Sequence, residues 1–344
     1  MRTITVHASK QYTITIGSGV LSMIGEIVEA TTNATQVCIV SDSNVWPLYG
    51  HTVSESLKAQ GLNMIQFIFP AGESSKNIDV YSQLLHFLSK NHVSREDCIV
   101  ALGGGVVGDL AGFAAATYLR GIPYIQIPTS LLAMVDSSVG GKTGIDLPAG
   151  KNLCGAFYQP WAVLCDTETL DTLPPEVFRD GCAEVIKYAI LYDPALAAYL
   201  DAEGILFDRE YVIAQCIVLK RDAVEQDEFD RGARKFLNLG HTVGHAIETC
   251  SDYSVSHGNA VAIGIAVVCR AFQCRDTGQI LHMLNQFCLP TSTHFTAEVL
   301  AQAALSDKKR GGDCIDWIIP NAIGDCAIVS IRVENLKSFI EEGL

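Results

Sequence analysis

Charge is scarce in this sequence, and so is any long apolar run. Only 18% of the 344 residues are charged, against about 25% in an average soluble domain. The longest apolar stretch, Ala260 to Cys269, is about half of a bilayer span, so no transmembrane helix is expected. The first residues, MRTITVHASKQYTITIG, lack the apolar core of roughly 7–15 residues that a secretory leader needs. No two cysteines stand in a C-x-x-C spacing, so the twelve present do not form a zinc ribbon or thioredoxin-type motif. Cys38, Cys98 and Cys165 lie in strand-like runs and Cys216, Cys269 and Cys288 in helix-like ones, and they read as small buried thiols in a reducing compartment. Lys and Arg total 24 against 38 Asp and Glu, a formal charge of −14. A body that acidic excludes nucleic acid and anionic membranes as partners, and any anionic ligand needs a local cluster of cations. Internal repeats and low-complexity tracts are also missing.

Hydrophobic residues make up 49% of the chain, enough to bury a large core, and the length suits about two domains. Residues 2–6 and 12–16 alternate strictly, as paired strands do. Short β-branched runs then recur at 36–42, 64–70, 97–105, 124–130 and 161–166, separated by helix-like segments such as 78–90. This alternation predicts a doubly wound, Rossmann-like α/β domain over residues 1–170. A proline-containing connector, 170–178, leads into mainly helical patterns at 181–200, 209–226, 239–250, 258–276 and 295–305, with an extended pair over 315–331. A mainly α-helical second domain is therefore expected over 171–344, with the ligand site in the cleft between the two.

Three motifs carry chemistry. Gly103 to Gly108 contain G-x-G-x-x-G after a strand and before a helix, where glycines let backbone approach a pyrophosphate. The acid normally found about 20 positions later is missing, although Asp42 ends an earlier strand. Gly140-Gly141-Lys142-Thr143 evokes a P-loop but lacks its first glycine; with Lys151 nearby, it reads as an anion-binding loop. His241 and His245 stand four apart on one helical face, with His257 close behind, a density that points to a metal. Spacing alone makes His241 and His245 both ligands. The other histidines, His7, His51, His86, His92, His282 and His294, read as satisfied core residues. Glu184 and Lys187, one turn apart, read by themselves as a surface ion pair.

Taken in order, GGGVVGD, YLRGIPYIQIPTSLLAMVDSSVGGKTG, GKNLCGAFYQP, GCAEVIKYAI and LNLGHTVGHAIE followed by SHG resemble the 3-dehydroquinate synthases of the sugar phosphate cyclase family, over roughly residues 36–320. The resemblance implies a cytoplasmic homodimer that uses NAD and one divalent metal, zinc with cobalt as the alternative. It implies conversion of 3-deoxy-arabino-heptulosonate 7-phosphate into 3-dehydroquinate and phosphate. The steps are transient oxidation by NAD, phosphate elimination, re-reduction, ring opening and aldol closure. The metal ligands it implies are Glu184, His241 and His257, which makes His245 a proton-transfer residue instead of a ligand; Lys142 and Asn152 join His245 in the reacting set. NAD would lie against Asp42, Glu73, Lys76, Gly105, Val106, Val107, Gly108, Asp109, Thr129, Ser130, Lys142, Lys151, Thr169, Leu170, Asp171 and Thr172. Substrate would be held by Asp136, Lys142, Lys151, Asn152, Lys187, Lys220, Arg234, Asn238, His245 and one of Lys308 or Lys309, with Arg120 reaching across the dimer to the phosphate. Ser130, Asp146 and Asp230 stand where the family commonly has threonine, asparagine and glutamate. Sister cyclases such as the 2-deoxy-scyllo-inosose synthases have no substrate carboxylate to bind, and a metal-dependent polyol dehydrogenase needs few cations. The set Lys142, Lys220, Arg234 and Asn238 favours the dehydroquinate type over both.

Overall fold

The β-branched runs become the centre of a seven-stranded sheet in the computed structural model, which describes residues 1–307 and 313–344. Across the sheet the order is Arg2–His7, Gln11–Gly17, Ala162–Asp166, Tyr124–Pro128, Cys98–Gly103, Gln36–Asp42, Asn63–Phe69. The first two strands pair antiparallel and every other neighbour is parallel. Parallel strands need cover on both faces, and the side chains divide accordingly. Cys38, Val40, Ile99 and Ala101 pack on one face with Leu84, Leu88 and Leu110 of the helices Ile78–Lys90 and Gly105–Thr117. Val37, Ile39, Cys98, Val100 and Leu102 pack on the other face with Val28, Val53 and Leu57 of the helices Ile24–Thr31 and Trp46–Ala59. This is period-two alternation with both faces apolar. Strand Gln36–Asp42 lies between Asn63–Phe69, which follows it, and Cys98–Gly103, which comes after that. The connections diverge there, and the carboxyl ends of Gln36–Asp42 and Cys98–Gly103 flank the point where such sheets take ligands.

By internal contacts the chain divides into two units: residues 1–174 with 209–229, and residues 175–208 with 230–344. The sequence reading puts helix 209–226 in the second half, but Arg209–Gln226 groups with the sheet unit. Glu225 accepts the His7 N–H at 2.7 Å and Glu228, just past the helix end, accepts the Ser9 N–H at 2.8 Å, so the end of this helix and the turn after it cap the first hairpin. Such pairings, more than two hundred residues apart, leave no local trace in sequence.

The second unit is mainly helical, with one two-stranded ribbon, Cys314–Ala322 against Asp325–Arg332. Helix His257–Ala271 is buried on nearly every side, Ala260 through Cys269 without exception, as a helix apolar all round must be. The helix expected over 181–200 is two, Pro175–Tyr192 and Pro194–Glu203, because Pro194 cannot continue the first and Asp193 caps the second. The glycine-lysine stretch expected as a loop forms a hairpin instead, Lys142–Leu147 with Gly150–Phe157. Cys288 is exposed in a left-handed turn beyond the end of helix Thr277–Gln286, not buried in a helix. His7, His51, His86, His92, His282 and His294 are all exposed as well, so their reading as core residues does not hold. Among the described residues no helix is long and apolar enough to cross a membrane.

Candidate metal and anion sites

In the helical unit, three helices bring Glu184, His241 and His257 together. Their ligand-capable atoms all lie within 4.8 Å of one another. His241 Nε2 is 3.5 Å and His257 Nε2 3.4 Å from Glu184 Oε1, and the Glu184 side chain is 1% exposed. The helix His241–Cys250 starts from Gly240, whose φ of 78° favours glycine. It lies so close to helix His257–Ala271 that a Cβ on Gly264 would fall 1.9 Å from the Gly240 carbonyl oxygen. Small residues at this crossing set the separation of the two imidazoles, whose ring centres are 5.3 Å apart.

One carboxylate and two imidazoles fit a divalent transition metal with coordination positions left open. The His241 ring supports this fit. Its Nδ1 lies 3.0 Å from the Leu239 carbonyl, an acceptor only, so the proton sits on Nδ1 and the Nε2 lone pair faces Glu184. Burial, followed by the Lys187 ammonium, lowers the His241 imidazole to about 3, which keeps it a neutral ligand. Burial also pulls on His257, but hydrogen bonds that the ring donates to the Glu184 and Glu248 carboxylates outweigh it and raise the ring to about 10. His245, expected from spacing to be a ligand, does not belong to this trio; its ring centre is 5.4 Å from that of His241 and 6.3 Å from that of His257. It does group with Glu248 and His257. Glu248 is absent from the sequence expectations, although its place three residues after His245 and seven after His241 on an otherwise apolar face is a readable sign.

Glu184 and Lys187 do form an ion pair, but both are buried, so the surface reading is corrected. Arg234 is also buried, at 2% exposure, in the short helical segment Ala233–Asn238, while Asn238 at its end is exposed. Charges buried to this degree need partners within the protein, as Lys187 has in Glu184, because desolvation of a lone charge is costly.

The sheet unit gathers the nucleotide-loop residues at strand carboxyl ends. Asp42 ends Gln36–Asp42, Gly105 to Asp109 open helix Gly105–Thr117, and Thr129 and Ser130 follow Tyr124–Pro128. No side chain caps the first turn of helix Gly105–Thr117, which leaves its N–H groups for an anion and fits a dinucleotide pyrophosphate. Asp42 Oδ1 accepts the N–H groups of Asn44 and Val45, which fixes the carboxylate at the strand end. Thr169 and Leu170 are buried and Asp171 and Thr172 exposed in the turn after Ala162–Asp166; Tyr49 bonds the Thr169 carbonyl, and Arg209 pairs with Asp171.

Lysines and carboxylates interleave nearby. Lys76 lies 2.7 Å from Asp109 and donates to Asn152 Oδ1 at 2.6 Å, while Lys151 is 3.4 Å from Glu73. Burial lowers Lys76, but Asp109, Glu73 and Asp146 more than compensate and hold its ammonium above the usual value. Burial raises Asp109, with Lys76 opposing. Asp146 Oδ1 accepts the N–H of Asn152, whose φ is 55°, so the unexpected aspartate holds the turn that presents Asn152. Lys220 donates to the Asp136 carbonyl at 2.6 Å and lies 2.8 Å from its carboxylate, joining residues 84 apart through the π-helical turn Ala133–Ser137. Lys142 is exposed at the start of its strand. Arg120 is exposed on a turn where Leu119 and Arg120 both have positive φ. Lys308 and Lys309 lie outside the described residues.

Comparison with known proteins agrees with this arrangement. The family description "3-dehydroquinate synthase N-terminal" matches residues 66–180 and "3-dehydroquinate synthase C-terminal" matches 181–310. The 3-dehydroquinate synthase of Streptococcus suis is 43% identical, covering 96% of this chain and 97% of its own. That of Geobacter metallireducens is also 43% identical, covering 96% of each. Among solved structures, a 2-deoxy-scyllo-inosose synthase complexed with carbaglucose-6-phosphate, NAD+ and Co2+ superposes with a TM-score of 0.90 at 25% identity, over 100% of both chains. With both family descriptions matched in succession over residues 66–310 and relatives at 43% identity over nearly the whole length, the chain belongs to the 3-dehydroquinate synthase family.

Proposed function

We propose that this chain converts 3-deoxy-arabino-heptulosonate 7-phosphate into 3-dehydroquinate and inorganic phosphate, using NAD and a divalent metal held by Glu184, His241 and His257. The carrying observation is the match to both family descriptions over residues 66–310, and the donor trio and the buried cations support it. NAD supplies a hydride acceptor that is regenerated within each turnover, and the metal supplies Lewis-acid polarisation of the hydroxyl being oxidised.

The chain's own residues do the rest. The uncapped turn at Gly105–Asp109 binds the pyrophosphate, with Asp42, Glu73, Lys76, Thr129, Ser130 and the Thr169–Thr172 turn around the nucleotide. The substrate carries a carboxylate and a phosphate, so it needs cations already desolvated and aimed; Lys187, Lys220 and Arg234 are buried and meet that need. Asp136 holds Lys220 in place, and Asp146 and Lys76 hold Asn152. His245, one helical turn from His241, moves protons on and off substrate oxygens. Lys142, Lys151 and Asn238 complete the anion contacts. The balance is redox-neutral: a carbon–oxygen bond to phosphate breaks, the ring opens and an aldol addition forms the carbocycle. The same reading makes the enzyme a cytoplasmic homodimer in which Arg120 reaches the partner's substrate phosphate.

The test is phosphate release from 3-deoxy-arabino-heptulosonate 7-phosphate by zinc-loaded protein with NAD, with absorbance at 340 nm followed in parallel. Many phosphates per NAD without accumulating NADH is the expected result. Phosphate from glucose 6-phosphate instead would make the chain a 2-deoxy-scyllo-inosose synthase, and steady NADH growth would make it a dehydrogenase.

A further inference from the structure

We propose that Glu248 is the positioning residue of the metal trio: its carboxylate accepts a hydrogen bond from His257 Nδ1–H and thereby turns Nε2 of that ring toward Glu184 and His241. This assignment rests on the trio reading above. The two imidazoles of the trio share one pattern. Each points Nε2 at Glu184 Oε1, at 3.5 Å for His241 and 3.4 Å for His257. Each also meets an acceptor with Nδ1, the Leu239 carbonyl at 3.0 Å for His241 and Glu248 Oε2 at 3.3 Å for His257. A ring that binds a metal through Nε2 keeps its one remaining proton on Nδ1, and an acceptor at Nδ1 holds that proton and the ring in this orientation.

The two rings differ in what else holds them. The His241 side chain is 14% exposed and is gripped by its own chain two residues back. His257 is 32% exposed and is the first residue of its helix, following Ser256 in extended conformation. Packing alone leaves such a ring free to rotate, and the Glu248 carboxylate, 5% exposed, supplies the missing constraint. The Glu248 backbone is anchored independently, since its carbonyl accepts the Tyr253 N–H at 2.8 Å and the Ser251 hydroxyl at 3.0 Å. Glu248, His245 and His257 also have ligand atoms within 4.8 Å of one another, so a role for Glu248 as a ligand is the rival. His257 decides against it, because a ring that gives its lone pair to the Glu184 side has only its proton to offer on the Glu248 side.

The experiment measures zinc affinity of the full chain by competition with a chromophoric chelator, the visible absorption of the Co2+-loaded protein and thermal unfolding without metal. The proteins are wild type, Glu248→Gln, Glu248→Ala and His241→Ala. Glu248→Ala should weaken zinc by about 10- to 100-fold, the range for loss of an outer-shell partner. Glu248→Gln, which keeps an acceptor oxygen, should lose less and covers the case in which the alanine variant does not fold. The Co2+ band intensity should persist in both, since no ligand is removed. Zinc affinity within about twofold of wild type in Glu248→Ala overturns the proposal, as does a fall in metal-free stability alone. A Co2+ spectrum showing a lost ligand overturns it in favour of direct ligation. Wild type that binds no zinc, or His241→Ala that binds it unchanged, overturns the trio reading and this assignment together.

Discussion

The sheet unit and the helical unit handle buried charge in opposite ways. In the sheet unit cations come with their own carboxylates: Lys76 with Asp109, Lys151 with Glu73 and Lys220 with Asp136. These groups come from helices, turns and a hairpin around the strand carboxyl ends, and acids hold the Lys76 ammonium above its usual value. In the helical unit a carboxylate is buried among imidazoles, with one ammonium beside it, on helices crossing at backbone contact. A site built on packed helices is fixed to the precision a metal needs.

Four changes probe that contrast, in order of expected effect. Glu184→Ala removes the anchor of the trio; zinc retention should be lost and phosphate release should fall by about 10³-fold or more, since Lewis-acid stabilisation is worth several kcal/mol. Metal analysis and turnover check this, while NAD affinity in the sheet unit should hold. Gly264→Ala tests rigidity alone. Its Cβ would meet the Gly240 carbonyl at 1.9 Å, so stability should drop by about 3 kcal/mol or more, as for overpacking against backbone. Zinc affinity should fall with it, although no ligand changes; unchanged affinity in the folded variant would mean that the crossing does not set the trio. Lys76→Met leaves Asp109 buried beside no cation, and urea unfolding should show a loss of about 2 kcal/mol, reduced from the fully buried case by the 20% exposure of Asp109. NAD affinity should weaken and zinc affinity should not.

The smallest effect concerns acid. Asp97 is held below its usual value: burial opposes this, but hydrogen bonds from Ser94, Gln36 and Thr35 prevail. A depressed carboxylate contributes stability that is present above its unfolded pKa of about 3.9 and is lost as pH falls through the folded value. Asp97→Asn should therefore lower the stability of the sheet unit at pH 7 and change it progressively less as pH falls below about 4, flattening the profile in acid, as read by urea midpoints across pH.

Much of the sheet was legible because its signals are local. The five β-branched runs all became strands, within a few residues at their ends, since apolar runs bounded by turn residues leave little alternative. The hairpin Lys142–Leu147 with Gly150–Phe157 was not, because Gly140, Gly141, Gly144 and Gly150 give the pattern of a loop, and strand pairing there comes from partners across the turn. At the candidate metal site, the pair of histidines four apart was visible, yet spacing joined His241 to His245, whereas the structure groups His241 with Glu184 and His257. His257 enters only because its helix crosses that of His241.

The sequence by itself determined the composition of the machinery: a glycine turn for a pyrophosphate, enough cations for a doubly charged anion on a −14 body, and a histidine cluster for a metal. Only tertiary structure decided which of these groups meet. It buried Glu184 and Lys187 where a surface pair was expected, returned Arg209–Gln226 to the sheet unit so that Lys220 reaches Asp136, and set Glu248 behind His257. The physical reason is that a side chain's type and helical or strand phase are local properties. Burial, ion pairing and ligand geometry depend on what the rest of the chain packs against it.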